Sequence, residues 1–236
     1  LDTPKRMTKV FIDTNLFLGL YDAGEDFKTV MGEIERLKPD LILPETVLDE
    51  FLRNRDRLLG HHARELRRAA SAVQDPPSFL ESSPEAAVYE EASEGYVHAL
   101  LALAQKVEAM ITEKRDDPVW VAIEHLATDP EVRVIRWTGE HLGRAQSRKL
   151  VGNPPKNERG QTVGDEVIWE ILLDEAKDDL IVITRDQTYR NHLSFLIHEF
   201  KQRTAHRLIV DDRISAALRA TDREPSGALL MLEGEG

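Results

Sequence analysis

Five short apolar runs, each separated from the next by a helical pattern, constrain this chain more than any other feature. They are Lys9-Val10-Phe11-Ile12-Asp13, Leu41-Ile42-Leu43 stopped by Pro44, Val132 to Trp137, Leu180 to Thr184, and Arg207 to Val210 followed by Asp211-Asp212. Unbroken apolar runs with β-branched residues suit strands covered on both faces. Strands alternating with helices indicate an α/β fold built on a parallel sheet.

The helical patterns between them can be placed. One covers Phe27 to Leu37. A second enters through Pro44 and shows Val47, Leu48, Phe51 and Leu52 on one side. After a break at Asp75-Pro76-Pro77, Glu85 to Thr112 reads as helix, and Asp116-Asp117-Pro118 opens another over Val119 to Ala127. Residues 55–128 are therefore expected to be a helical insertion between the second and third strands. Residues 7–212 are expected to hold the whole domain, and 213–236 a C-terminal helix and a loosely held tail.

Composition excludes several chemistries. The 236 residues include no cysteine, so disulfides, thiolate metal sites and a cysteine nucleophile are absent. No run of eighteen apolar residues exists, and the start, LDTPKRMTKVF, lacks an apolar signal core. A cytoplasmic setting is the expectation, with Met7 as the natural start. The net charge of −12 argues against a protein that coats nucleic acid. Its distribution is uneven, however. Residues 51–70 hold Arg53, Arg55, Arg57, Arg64, Arg67 and Arg68, and residues 144–159 hold Arg144, Arg148, Lys149, Lys156 and Arg159. Each stretch reads either as a solvated helix face or as a basic strip.

Ligands of open α/β sheets bind at the C-terminal ends of the strands. Four acids can meet there. Asp13 closes the first strand, Glu50 lies on the helix after the second, Asp165 opens a helix in Val163-Gly164-Asp165-Glu166, and Asp186 follows the fourth strand in Thr184-Arg185-Asp186. Each also has an ordinary reading as a cap, a turn residue or an exposed helix acid. Asp49 competes with Glu50, and Glu166 with Asp165. Asp178-Asp179 precedes its strand and falls at the opposite end, while Asp211-Asp212 stands one strand further out. Clustered carboxylates repel unless a cation compensates, and an all-oxygen set without cysteine suits Mg²⁺ or Mn²⁺.

Val10-Phe11-Ile12-Asp13-Thr14-Asn15 resembles the opening of a PIN domain, and Glu50, Asp165 and Asp186 match that family's acidic positions in order. Residues 8–212 carry the resemblance, and Gly152-Asn153-Pro154-Pro155-Lys156 before Gly164-Asp165 is similar to a subgroup with a long helical insertion. The resemblance implies a three-layer α/β/α fold with a central parallel five-stranded sheet in the order 3-2-1-4-5. It also implies a nuclease dependent on one or two Mg²⁺ or Mn²⁺ ions, usually acting on RNA. Asp13 would be the central ligand, with Asp186, Asp165 and Glu50 completing the set and Thr14, Asn15 and Thr184 orienting the carboxylates. Lys156 and Arg185 would contact phosphate, and Arg53, Arg64, Arg67 and Arg68 would guide the backbone of the nucleic acid. Toxin members are much shorter, so the insertion argues against a toxin; an antitoxin-like or homo-oligomeric partner stays open.

Three rival readings arise, and one, a response-regulator-like receiver, lacks the extra acidic pair and the placed lysine it needs. A phosphatase with Asp13 as nucleophile wants a second aspartate two residues on, where Asn15 stands. The third is a non-catalytic module that keeps the fold and binds RNA or protein.

Overall fold

Val10, Phe11 and Ile12 have no exposed surface in the computed structural model of the protein, which describes residues 7–155 and 162–234. They belong to strand β1 (Thr8–Ile12), which continues into helix α1 (Thr14–Leu18) and, after two single helical turns, α2 (Phe27–Glu35). Strand β2 (Ile42–Pro44) leads into α3 (Glu45–Ser71), then α4 (Pro84–Thr112) and α5 (Pro118–Thr128). Next come β3 (Arg133–Ile135), α6 (Gly139–Val151), α7 (Gly164–Glu175) and β4 (Asp179–Ile183). The chain closes with α8 (Gln187–Asn191), α9 (Leu193–Thr204), β5 (Leu208–Asp211), α10 (Ile214–Ala220) and α11 (Gly227–Leu232).

All strand pairs are parallel. β1 pairs with β4 from Thr8↔Asp179 to Ile12↔Ile183, and β4 pairs with β5 from Leu180↔Leu208 to Ile183↔Asp211. β2 pairs with β3 from Ile42↔Arg133 to Pro44↔Ile135. The five-stranded sheet expected from the resemblance is met in part. The strands make a three-stranded sheet, β1-β4-β5, and a two-stranded one, β2-β3, with one isolated parallel bridge, Val10↔Leu41, between them. Pro44 cannot donate to a ladder, and the three-residue β2 is too short to sustain one on both sides. The apolar content of β1 and β4 follows from their central place, since both are covered on both faces. Arg133 and Val134 of β3 are exposed, as an outer strand allows.

Backbone contacts divide the chain into two compact units, residues 1–51 with 122–236 and residues 52–121. In the first unit, part of the segment expected as a loose tail is helical. Leu229 is buried, Ser226 caps α11, and Glu233 accepts hydrogen bonds from the backbone of Ile214 and Ser215 at the start of α10. Four leucines or methionines in six residues let α11 bury Leu229, which the loose-tail expectation did not foresee.

The second unit corrects one reading of the first basic stretch. Arg55 is fully buried, donates to Asp117 at 2.7 Å and to the carbonyl of Met110 at 2.5 Å, and is no part of a solvent-facing strip. Asp117 in turn accepts from the backbone of Val119 and Trp120, capping α5. Arg67 is tied to Glu108 through two hydrogen bonds, of 3.0 and 2.7 Å.

Candidate active site

Parallel pairing of β1 with β4 sets the geometry at the C-terminal edge of the sheet. Ile12 lies beside Ile183, so the next residues of the two strands, Asp13 and Thr184, are neighbours. The Asp13 backbone N–H donates to the Ile183 carbonyl at 2.9 Å, and the Thr184 hydroxyl donates to Asp13 Oδ2 at 2.5 Å. Asn15, in the first turn of α1, donates to the same oxygen at 2.7 Å and to Thr184 Oγ1 at 3.2 Å, while its own Oδ1 accepts from the backbone of Arg185 at 3.3 Å. Asp13 Oδ1 accepts from the Thr14 backbone at 2.7 Å. Capping and orientation coincide here: the ordinary role of Asp13 as a helix cap is real, and it fixes the carboxylate.

The other acids reach this edge from separate elements. Thr14 Oγ1 donates to Glu50 Oε2 at 3.2 Å, and Glu50 is half-buried where Asp49 is exposed. Asp186 caps α8 by accepting from the Thr188 backbone at 2.8 Å, and its own N–H donates to Thr184 Oγ1. Asp165, in the first turn of α7, accepts no hydrogen bond and forms no ion pair among the described residues. Its rival Glu166 points inward and is buried, with Lys149 Nζ 4.0 Å away.

Electrostatics join the four. Burial, assisted by the charges of Glu50 and Asp186 and opposed by hydrogen bonds from Thr184 and Thr14, lifts the Asp13 carboxyl to about 6. Burial and then the charges of Glu50, Asp13, Asp186 and Glu166 lift Asp165 to about 7. Tyr189 sits in the same field, a residue the sequence reading passed over. Its buried phenol packs edge-on against Trp169 at 6.3 Å, and burial together with the four acids pushes it well above its ordinary range. A tyrosine three residues past an aspartate carries no sequence signal of its own.

Acids just outside the group are treated differently. Asp179, at the far end of β4, accepts from Arg207 at 2.9 Å, and Asp212 pairs with Arg190 at 2.8 Å. Burial alone would raise Asp211, but hydrogen bonds from Arg213 hold its carboxyl below the usual range. No such cation faces Asp13, Glu50, Asp165 or Asp186 among the described residues. Hard oxygen donors that repel one another and lack cationic partners are the donor set a divalent ion takes. Among the described residues, however, no three acidic or histidine side chains converge tightly enough to form a ready-made metal cage.

The basic candidates divide. Arg185 is exposed and has no carboxylate partner among the described residues; its Nη1 lies 3.5 Å from where a Cβ on Gly19 would stand. Arg53 and Arg64 are exposed, Arg68 stands 4.0 Å from Glu65, and Arg67 is committed to Glu108. In the second basic stretch, Arg144 bonds Glu170 and Asp174, and Arg148 bonds Glu170, Glu199 and the Pro154 carbonyl. That stretch is an internal ion network and not an open strip. Lys156 and Arg159 lie outside the described residues.

Compared with known families, residues 10–189 match a family model described as PIN domain. No curated protein matches the chain, and no solved structure does. No helix of the described residues is long and apolar enough to cross a membrane.

Proposed function

The chain belongs to the PIN-domain family, a family of mostly metal-dependent nucleases, and on that premise we propose that it hydrolyses phosphodiester bonds, most readily of RNA, with Mg²⁺ or Mn²⁺. The observation that carries this reading is the contrast in pairing. Asp13, Glu50, Asp165 and Asp186 share one electric field without a cation, while Asp179, Asp211 and Asp212 each have an arginine. In this reading the four acids hold the ion directly or through water, with Asp13 central. When bound, such an ion makes water a stronger nucleophile near neutral pH and stabilises charge on the phosphate and the leaving oxygen. Thr184, Asn15 and Thr14 fix the carboxylate planes of Asp13 and Glu50, so little rearrangement is needed when substrate arrives. Arg185 supplies a positive charge for a flanking phosphate, with Lys156 in support, and Arg53, Arg64 and Arg68 add phosphate contacts of their own. The Val10↔Leu41 bridge supports reading the two sheets as one layer in the order 3-2-1-4-5, within a three-layer fold.

The test is cleavage of single-stranded and structured RNA by metal-stripped protein, with Mg²⁺ or Mn²⁺ restored. Activity that depends on the ion and disappears in Asp13→Asn and Asp186→Asn is the expected result. Equal rates in the parent and both variants would defeat the reading.

One observation favours a second reading, a module that binds RNA or protein without cutting: no three of the acids stand at direct-ligand spacing. Calorimetry separates the two. Carboxylate-dependent Mn²⁺ binding belongs to the enzyme, and its absence to the module.

A further inference from the structure

Helix α4 turns toward solvent a face that its own sequence maps onto itself. Val88, Tyr96 and Leu103 are 68%, 56% and 51% exposed. The small residues Ala92, Gly95 and Ala99 lie exposed between them. At 3.6 residues per turn these six positions fall in a stripe about 100° wide, away from the side that buries Ala86, Leu100 and Ala104. Glu85 and Lys106 stand at the two ends of the same stripe, exposed, and neither has an ion-pair partner among the described residues.

These positions are symmetric about the bond between Gly95 and Tyr96. Val88 and Leu103 are equidistant from it, as are Ala92 and Ala99, and Glu85 and Lys106. When two identical helices pair antiparallel about a two-fold axis, each residue meets its equidistant counterpart. Here every meeting is a match. Val88 faces Leu103, the two alanines face each other, the Tyr96 ring covers Gly95, where the missing Cβ permits close approach, and Glu85 faces Lys106. We propose that α4 is a self-association surface, pairing antiparallel with α4 of a second copy of this chain over about 32 Å. Charge complementarity selects this occupant. A membrane with acidic headgroups would be repelled by Glu85, Glu90, Glu91 and Glu94, and a nucleic acid by the same residues.

The experiment is sedimentation velocity on the full chain from low to high micromolar concentration. A concentration-dependent dimer is expected, and Leu103→Glu should leave only monomer. Glu85→Lys sets like charges together and should weaken association by about tenfold or more, while the double variant Glu85→Lys with Lys106→Glu restores it. Far-UV circular dichroism of each variant checks that α4 is still folded. Because the chain has no native cysteine, single cysteines report the register directly. Gly95→Cys, beside the axis, should cross-link on mild oxidation, whereas Val88→Cys should not, its copies being about 22 Å apart. A monomer at every concentration would overturn the proposal. So would a dimer indifferent to both Leu103→Glu and the single change Glu85→Lys, or one that cross-links equally at both positions.

Discussion

Thr14 Oγ1 donates to Glu50 Oε2 at 3.2 Å, joining the first turn after β1 to the second turn of α3. The bond distinguishes Glu50 from Asp49, which the sequence left open, and it makes Thr14 a lever on that acid alone. Thr14→Val should free the Glu50 side chain and lower cleavage by about 10-fold, in the range of lost outer contacts to ligands. Glu50→Gln should lower it further, and Asp49→Asn should not change it. Initial rates on a fluorescent RNA in Mn²⁺ measure all three.

Asp165 and Glu166 should separate just as cleanly. Asp165→Asn removes a carboxylate in the common field and should abolish detectable turnover. Glu166→Gln, at a buried position near Lys149, should retain cleavage within about threefold and alter melting temperature instead. The reverse outcome would transfer the role to Glu166.

Raised carboxyl groups have a signed effect on stability. Asp13 and Asp165 bind protons more tightly folded than unfolded, about 6 and about 7 against the ordinary 3.8. The stabilisation from their protonation is complete below about pH 4 and is lost as pH rises through 6 and 7. Metal-free protein should therefore melt higher at pH 5 than at pH 8. Asp165→Asn should narrow that gap, raising the melting temperature at pH 8 by roughly 2–4 °C for each kcal/mol of repulsion relieved. Calorimetric scans in chelator at both values check the direction.

Arg55 offers a test of the second unit. Replacing it with methionine leaves Asp117 buried without its cation, and breaking such a pair costs about 3–5 kcal/mol. The urea midpoint should fall accordingly. Any loss of RNA binding should track unfolding, because Arg55 reaches no solvent.

Arg64 and Arg67 should differ in the salt dependence of RNA binding. Arg64 is exposed and unpaired among the described residues, so Arg64→Glu should lower the salt slope by about one or more. Arg67 already spends its guanidinium on Glu108, and Arg67→Ala should leave the slope nearly unchanged. Filter binding across a salt series reads both.

Strands and helices were legible because their signals are local. β1 and β4 are unbroken apolar runs, and Asp116-Asp117-Pro118 marks a helix start that forms. The strand-end rule placed the four acids where they could meet, and the resemblance set the first strand beside the fourth. What the sequence did not reveal is partnership across long separations. Nothing in 51–70 distinguishes Arg55 from Arg53, since the difference is Asp117, sixty-two residues away. The same holds for Arg148, whose carboxylate partners Glu170 and Glu199 sit on other helices. The split between β2 and β1 also escaped, because it depends on how far a three-residue strand can extend a ladder.

Glu50 stands two residues before the boundary between the units, while its helix runs on to Ser71. Were the outer residues excised at that boundary, the acid would occupy the last, fraying turn of a six- or seven-residue stub, too short to persist unaided. The stretch of α3 beyond the boundary thus lends rigidity to a carboxylate that precedes it in the chain, and trimming this chain to a minimal version would blunt it at Glu50 first.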